Sequence, residues 1–172
     1  AGLPFTVVRP TAIYGPGDKR LLKLFKMARR GIMPLIGGHD TLYHMIYVDD
    51  LCRFMIACAL DSRACGQIFI CGNENSTSIK EIVNIIAREY KKKVFFIPLP
   101  AGPILLVADI CEAVCRKVGI EPPTYRRRVA FFTKDRRFDT RKMHEMLHFD
   151  EHYSLEEGLR ATARWYKEQG WV

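Results

Sequence analysis

Arg9-Pro10-Thr11-Ala12-Ile13-Tyr14-Gly15-Pro16-Gly17-Asp18 and, thirty-odd residues on, Tyr47-Val48-Asp49-Asp50-Leu51 decide the fold of this 172-residue chain. The first stretch ends a β-branched run, Pro4–Arg9 (PFTVVR), which reads as a short buried strand. Gly15-Pro16-Gly17-Asp18 then makes a turn, and Asp18 is placed to cap a helix over 19–30 that Gly31 stops. The second stretch closes a strand over 42–48, with Asp49 or Asp50 as cap for an apolar helix over 51–60. Strand, turn, helix, then strand and helix again is the α/β rhythm.

Working outward, Pro34–Asp40 reads as a Gly-rich loop and Gln67–Cys71 (QIFIC) as a strand closed by Gly72. Ser78-Ile79-Lys80-Glu81 has the capping-box pattern ahead of a helix over 82–90. Val94–Ile97 predicts a short strand, and 101–118 a mostly apolar helix before the Pro122-Pro123 break. Helices over 125–133, 142–147 and 155–169 follow, the last with Ser154 as cap and Gly170 as stop. Only about four strands are visible, fewer than a parallel sheet covered on both faces usually holds. The chain thus reads as a single partial α/β domain, the back half of something larger, whose remaining strands expose an edge and an apolar face.

Composition narrows the function. At 48% hydrophobic and 27% charged residues the chain has enough apolar surface to fold. The longest apolar runs, such as Pro103–Ala108, fall far short of the ~20 residues a bilayer span needs. Nothing resembles a signal peptide, and the six cysteines form no CxxC pair, which points to free thiols in a reducing cytoplasm. Cys52, Cys58, Cys111 and Cys115 fall on apolar helical patterns and are expected to be buried. The net charge of +8 invites a nucleic-acid reading. Its clusters, Lys91–Lys93 and Arg126–Arg128 with Arg136-Arg137, do not alternate with aromatics as an RNA platform would. A basic face for an anionic ligand, or for an acidic partner of a non-catalytic module, remains the simpler reading.

Two motifs suggest chemistry. Gly15 and Gly17 lie between strand and helix, where a phosphate cradle would be, but the third glycine position is Arg20 and Pro16 lacks a donor. His144-Glu145-Met146-Leu147-His148 matches HExxH, which on a helix sets two histidines one turn apart for zinc. Its helix is short and near the C-terminus, and no metal site is expected there. Asp49-Asp50 most simply cap a helix, and no nucleophile-elbow GxSxG occurs.

Taken in register, these motifs resemble the C-terminal half of the extended short-chain dehydrogenases/reductases, the NAD-dependent epimerase/dehydratase and 3β-hydroxysteroid dehydrogenase-like family. Arg9–Asp18 resembles the segment that follows the family's catalytic Tyr/Lys helix, and Tyr47–Leu51 its YVDDL junction. Phe69–Gly72, Ser78 and Glu81 match the next strand and helix. Phe138-Asp139, Lys142, Leu147, Ser154–Leu159 and Trp165-Tyr166 match the C-terminal pattern.

The resemblance implies the last strands of a Rossmann-like parallel sheet and their helices over 1–75, with an inserted substrate loop over 31–43. A small, mostly helical substrate-binding and C-terminal region would occupy 76–172. It further implies that the Gly-rich fingerprint and the catalytic Tyr-x-x-x-Lys belong to an N-terminal half not contained here. No Tyr of this chain has Lys four residues later, so no catalytic residue is assigned and the chain alone is not expected to transfer hydride. NAD or NADP would be held mainly by that other half, with Pro10, Thr11 and Ile13 lining the nicotinamide. Ala12, Tyr14, Tyr43, His44 and Arg126 would face the substrate.

Ala12 stands where nucleotide-sugar members often have Asn, and Tyr43 where they often have a diphosphate-binding Arg. These departures favour a steroid- or dihydroflavonol-like secondary alcohol or ketone, with nucleotide-sugar epimerase or dehydratase as the alternative. A small-molecule substrate, a homodimer and a cytoplasmic location complete the expectation.

Overall fold

The computed structural model describes residues 3–38, 40–118 and 134–172. Among the described residues there are eight short strands, twice the number legible in the sequence: β1 Val7–Pro10, β2 Ala12–Tyr14, β3 Ile32–Ile36, β4 Leu42–Tyr43, β5 Met45–Tyr47, β6 Ile68–Cys71, β7 Thr77–Ser78 and β8 Phe95–Leu99. They pair two by two. β1–β6, β2–β5 and β3–β8 are parallel, and β4–β7 is antiparallel. Described helices are α1 Leu22–Arg30, α2 Val48–Leu60, α3 Ile79–Glu89, α4 Ala101–Val118, α5 Arg141–Leu147 and α6 Leu155–Glu168. The expected helix over 125–133 and Arg126–Arg128 lie outside the described residues.

Several local expectations are corrected, each for a physical reason. Pro34 does not open a loop. Met33 and Leu35 are buried, so alternation outweighs the proline and makes β3. The expected substrate loop over 31–43 therefore contains two strands. Asp18 does not cap α1. Its Oδ1 accepts the backbone N–H and Nε of Arg20, both at 2.9 Å, and Leu21 stands at the cap with no side-chain bond. The aromatic run over 42–48 is two strands split at His44, and α2 begins at Val48. Neither Asp49 nor Asp50 is its cap, because both sit in its first turn behind Tyr47. Of the four cysteines expected to be buried, Cys58 is, Cys111 and Cys115 are half-buried and Cys52 is exposed, while all six thiols are free.

The C-terminal helix forms as its sequence predicts. Ser154 Oγ accepts the Glu157 N–H at 3.2 Å, and Glu157 Oε2 accepts the Ser154 N–H at 2.9 Å, a reciprocal capping box. At α3 the Ser78 side chain accepts the Glu81 N–H. Glu89 near the end of α3 is gripped by Arg160 at 3.0 Å and Arg164 at 2.8 Å, which ties α3 to α6.

Two apolar clusters hold these pieces. One gathers Tyr14, Phe25, Met33, Ile82, Ile86, Leu159 and Tyr166, where α1, α3 and α6 meet the β2–β5 and β3–β8 pairs. The Tyr166 hydroxyl donates to the Asp18 carbonyl, so the Gly15–Asp18 turn anchors α6 instead of cradling a phosphate. The other cluster gathers Ile46, Phe54, Phe69, Cys71, Met143 and Phe149, with Phe54 edge-on to Phe69 and Phe149 at 5.6 and 5.1 Å.

Candidate functional site at a strand switch point

The chain changes partners at Thr11. Its N–H donates to the Cys71 carbonyl at 2.8 Å, continuing the β1–β6 ladder. The next N–H, of Ala12, donates to the His44 carbonyl at 3.0 Å and starts β2–β5. After β6, the Asn73 N–H likewise crosses to the Met45 carbonyl at 2.8 Å. Two parallel pairs therefore splay apart at the C-terminal ends of β1 and β6. A crevice at such strand ends, where the order switches, is where open α/β sheets take ligands.

At these strand ends two buried polar atoms, Thr11 Oγ1 and Asn73 Oδ1, have no hydrogen-bond partner among the described residues. Buried hydroxyl and amide oxygens are nearly always bonded, which makes these two oxygens candidate acceptors for a group from outside the described residues. Gly72 packs against Thr11. A Cβ there would stand 2.6 Å from Thr11 Cγ2 and 2.8 Å from its Oγ1, so only glycine leaves the hydroxyl in place.

His44 closes the floor. It is buried, its Nε2 donates to the Asn73 carbonyl, and its Nδ1 accepts the Phe138 N–H at 3.1 Å. Those two bonds demand the Nε2–H tautomer and leave neither ring nitrogen for a ligand. Thr140 Oγ1 donates to the same Asn73 carbonyl at 3.3 Å. Together these bonds dock the 138–140 segment on the crevice. Beside it Asp139 is held by Arg141 (Nη2 to Oδ2 2.6 Å, Nε to Oδ1 3.0 Å), and that bonding lowers its carboxyl to about 2.

Pro10, Thr11, Ala12 and His44 thus meet at one place, with Ile13 packed against the second cluster. Tyr14 and Tyr43 sit in the first cluster at 1% and 3% exposure, and burial pushes both phenols upward. The Tyr14 hydroxyl donates inward to the Leu155 carbonyl at 3.5 Å. Arg126 lies outside the described residues. Gly72 was legible only as the close of a strand, and Asn73 and Thr140 carried no assignment. The only signal was that Gly72-Asn73 follow a strand.

The HExxH match dissolves in three dimensions. α5 ends at Leu147 and His148 takes the left-handed cap position (φ 51), so the two histidines do not share a helical face. His144 Nδ1 donates to the Phe149 carbonyl at 2.7 Å, and its Nε2 faces Glu151 Oε1 at 3.7 Å. Among the described residues no group of His, Cys, Asp and Glu could hold a metal ion. Burial pushes the Glu151 carboxyl above its ordinary value, against the pull of His144. A raised carboxyl adds stability that is present below the unfolded value of 4.5 and is lost as pH rises through the folded one. Glu151→Gln is therefore expected to gain urea resistance over the parent from pH 4.5 to neutrality. Equal midpoints for the two proteins at both ends would count against it.

No family model matches the chain. It is 26% identical to the decarboxylating sterol-4-alpha-carboxylate 3-dehydrogenase of Schizosaccharomyces pombe, over 95% of this chain and 50% of that protein. It is 28% identical to the UDP-N-acetyl-alpha-D-glucosaminuronate decarboxylase of Bacillus cytotoxicus, over 97% of this chain and 47% of that protein. Its fold matches that of the UDP-glucuronic acid 4-epimerase of Bacillus cereus in complex with UDP-glucuronic acid and NAD. There the TM-score is 0.67 at 18% identity, covering 97% of this chain and 46% of the epimerase. This chain is thus similar, along nearly its whole length, to a sterol dehydrogenase and to a nucleotide-sugar decarboxylase. It spans about half the length of the curated relatives it matches. In this chain the Arg9–Asp18 and Tyr47–Leu51 motifs are the two strand ends and turns at the switch point. No described helix is long and apolar enough to cross a membrane.

Proposed function

We propose that this chain supplies the substrate side of an NAD- or NADP-dependent extended short-chain dehydrogenase/reductase acting on a secondary alcohol or ketone of steroid or dihydroflavonol type. The observation that carries the reading is the pair of unpartnered oxygens, Thr11 Oγ1 and Asn73 Oδ1, at the switch point. An acceptor amide oxygen beside a hydroxyl suits a carboxamide, which offers both N–H and C=O. Pro10, Thr11 and Ile13 would line such a nicotinamide end, whose ring would supply or accept the hydride when bound. Ala12 and the buried Tyr43 bring no cation or amide toward a diphosphate, which favours an apolar substrate. The proton donor and the Lys beside it would come from residues outside these 172, and the enzyme would work as a cytoplasmic homodimer.

Thr11→Val separates a waiting ligand site from an ordinary packing defect. Removing an unsatisfied buried hydroxyl is expected to leave the chain as stable or up to about 1 kcal/mol more stable. In the whole enzyme the same change is expected to raise the KM for the nicotinamide cofactor about tenfold. A loss of stability with unchanged KM would overturn the assignment. Oxidation of 3β-hydroxysteroids should exceed turnover of UDP-sugars, and the reverse preference would support the nucleotide-sugar alternative.

A further inference from the structure

The β3–β8 ribbon is apolar on both faces. Its inner face, with Met33 and Leu35, is core. Its outer face carries the opposite alternation, where Ile32 pairs with Phe95 and Pro34 with Ile97 in parallel register. Ile32 is 51% exposed, Phe95 71% and Ile97 37%. A parallel pair is normally covered on both sides.

Charge gathers at the end of the ribbon where exposure is greatest. The Phe95 N–H donates to the Gly31 carbonyl at 2.8 Å, which brings the two incoming segments side by side. One carries Arg29 and Arg30, the other Lys91, Lys92 and Lys93, and all five are exposed. None makes an ion pair with a described carboxylate. Glu89, the nearest acid in sequence, is held by Arg160 and Arg164. α1 itself contains no Asp or Glu.

We propose that this ribbon end docks peripherally on an anionic lipid surface. Ile32, Phe95 and Ile97 would enter the interfacial region, with the five cations at headgroup depth. Apolar side chains beside long basic ones form the arrangement that binds acidic bilayers, because burial and charge attraction act together. Other occupants fit less well. Pro34 and Pro98 each remove a ladder donor, one on either strand, which discourages addition of a peptide strand. A second copy docked through the same ribbon end would set its own five cations against these. Nucleic acid would find one aromatic face, Phe95, between aliphatic neighbours that cannot stack on bases.

Co-sedimentation of the chain with vesicles tests the proposal. Vesicles of phosphatidylcholine with 30% phosphatidylglycerol are expected to bind it, and pure phosphatidylcholine to bind it at least tenfold more weakly. Salt should weaken the anionic binding. Lys91→Gln/Lys92→Gln/Lys93→Gln is expected to lower affinity about a hundredfold, from roughly fivefold per cation. Ile32→Ser/Phe95→Ser should lower it about tenfold or more. These side chains are exposed, so an unchanged circular dichroism spectrum confirms that each variant folds. Equal binding to both vesicle types, affinity unmoved by either variant, no binding at all, or preference for a single-stranded oligonucleotide over the vesicles would each overturn it.

Discussion

Asp50→Ala is expected to cost about 3–5 kcal/mol of folding stability, the largest effect of any single charged residue here. Asp50 is fully buried at 0% exposure, yet it lies on the first turn of a surface helix. Its Oδ1 accepts the His152 N–H at 2.8 Å and its Oδ2 the Tyr153 N–H at 3.0 Å. Arg53 Nη1 completes the set at 2.8 Å. Hydrogen bonds to a charged acceptor contribute about 1.5–3 kcal/mol each, and alanine would strand two backbone donors in the interior. Those donors belong to the segment that starts α6, so the loss should spread to the Ser154 capping box. Urea denaturation measures the cost, and amide exchange at His152 and Tyr153 should accelerate with it. Asp50→Asn should fall between, since one of its two terminal atoms can no longer accept. Arg53→Ala should cost no more than about 1 kcal/mol, because its side chain is 49% exposed and the pair is screened. A loss below about 1 kcal/mol for Asp50→Ala would show that water satisfies the two amides.

Gly158→Val is expected to be comparably damaging, by about 3 kcal/mol, although glycine inside a helix is usually a weakness. Elsewhere Gly→Ala in a helix interior gains about 1 kcal/mol. Here a Cβ would press inside contact distance of the Tyr14 hydroxyl and reach 3.0 Å from both Tyr14 Cζ and Tyr47 Cδ2. Neither ring can retreat. They lean on one another at 5.5 Å, and Tyr47 leans on Tyr153 at 4.6 Å. Overpacking a filled core costs about 1–3 kcal/mol, so even Gly158→Ala should lower the melting temperature. Tyr14→Phe removes the hydroxyl nearest the new methyl and should recover part of the loss in the double variant, a coupling that a cycle measures. A higher melting temperature for Gly158→Ala would sink the argument.

These two residues show how legibility divided. The run Ser154-Leu155-Glu156-Glu157-Gly158 announced the start of α6, because the cap and its reciprocal glutamate lie within one turn of each other. Ala101–Val118 was readable end to end for a similar local reason. Asp50 was legible as an acid at a helix start, but its partners lie a hundred residues away and no local rule reaches them. Pro34 misled because turn chemistry is a local prior, and burial of Met33 and Leu35 overrode it. His144 and His148 carried a motif that the sequence analysis had already set aside. The spacing was right, but the helix stopped one residue too soon.

At the crevice, Pro10, Thr11, Ala12 and His44 could be placed near one another through the resemblance of two short motifs. The α/β class, the free thiols, the turn after Arg9–Tyr14 and the helices expected over 142–147 and 155–169 followed from spacing and composition, since each depends on neighbours within a few residues. What only the tertiary structure decided was which atoms are left over. Thr11 Oγ1 and Asn73 Oδ1 become orphans because two strand pairs diverge there, and His44 loses both ring nitrogens to Asn73 and Phe138. Satisfaction of a polar atom depends on every group brought near it from distant parts of the chain, and that is a property of the packed fold.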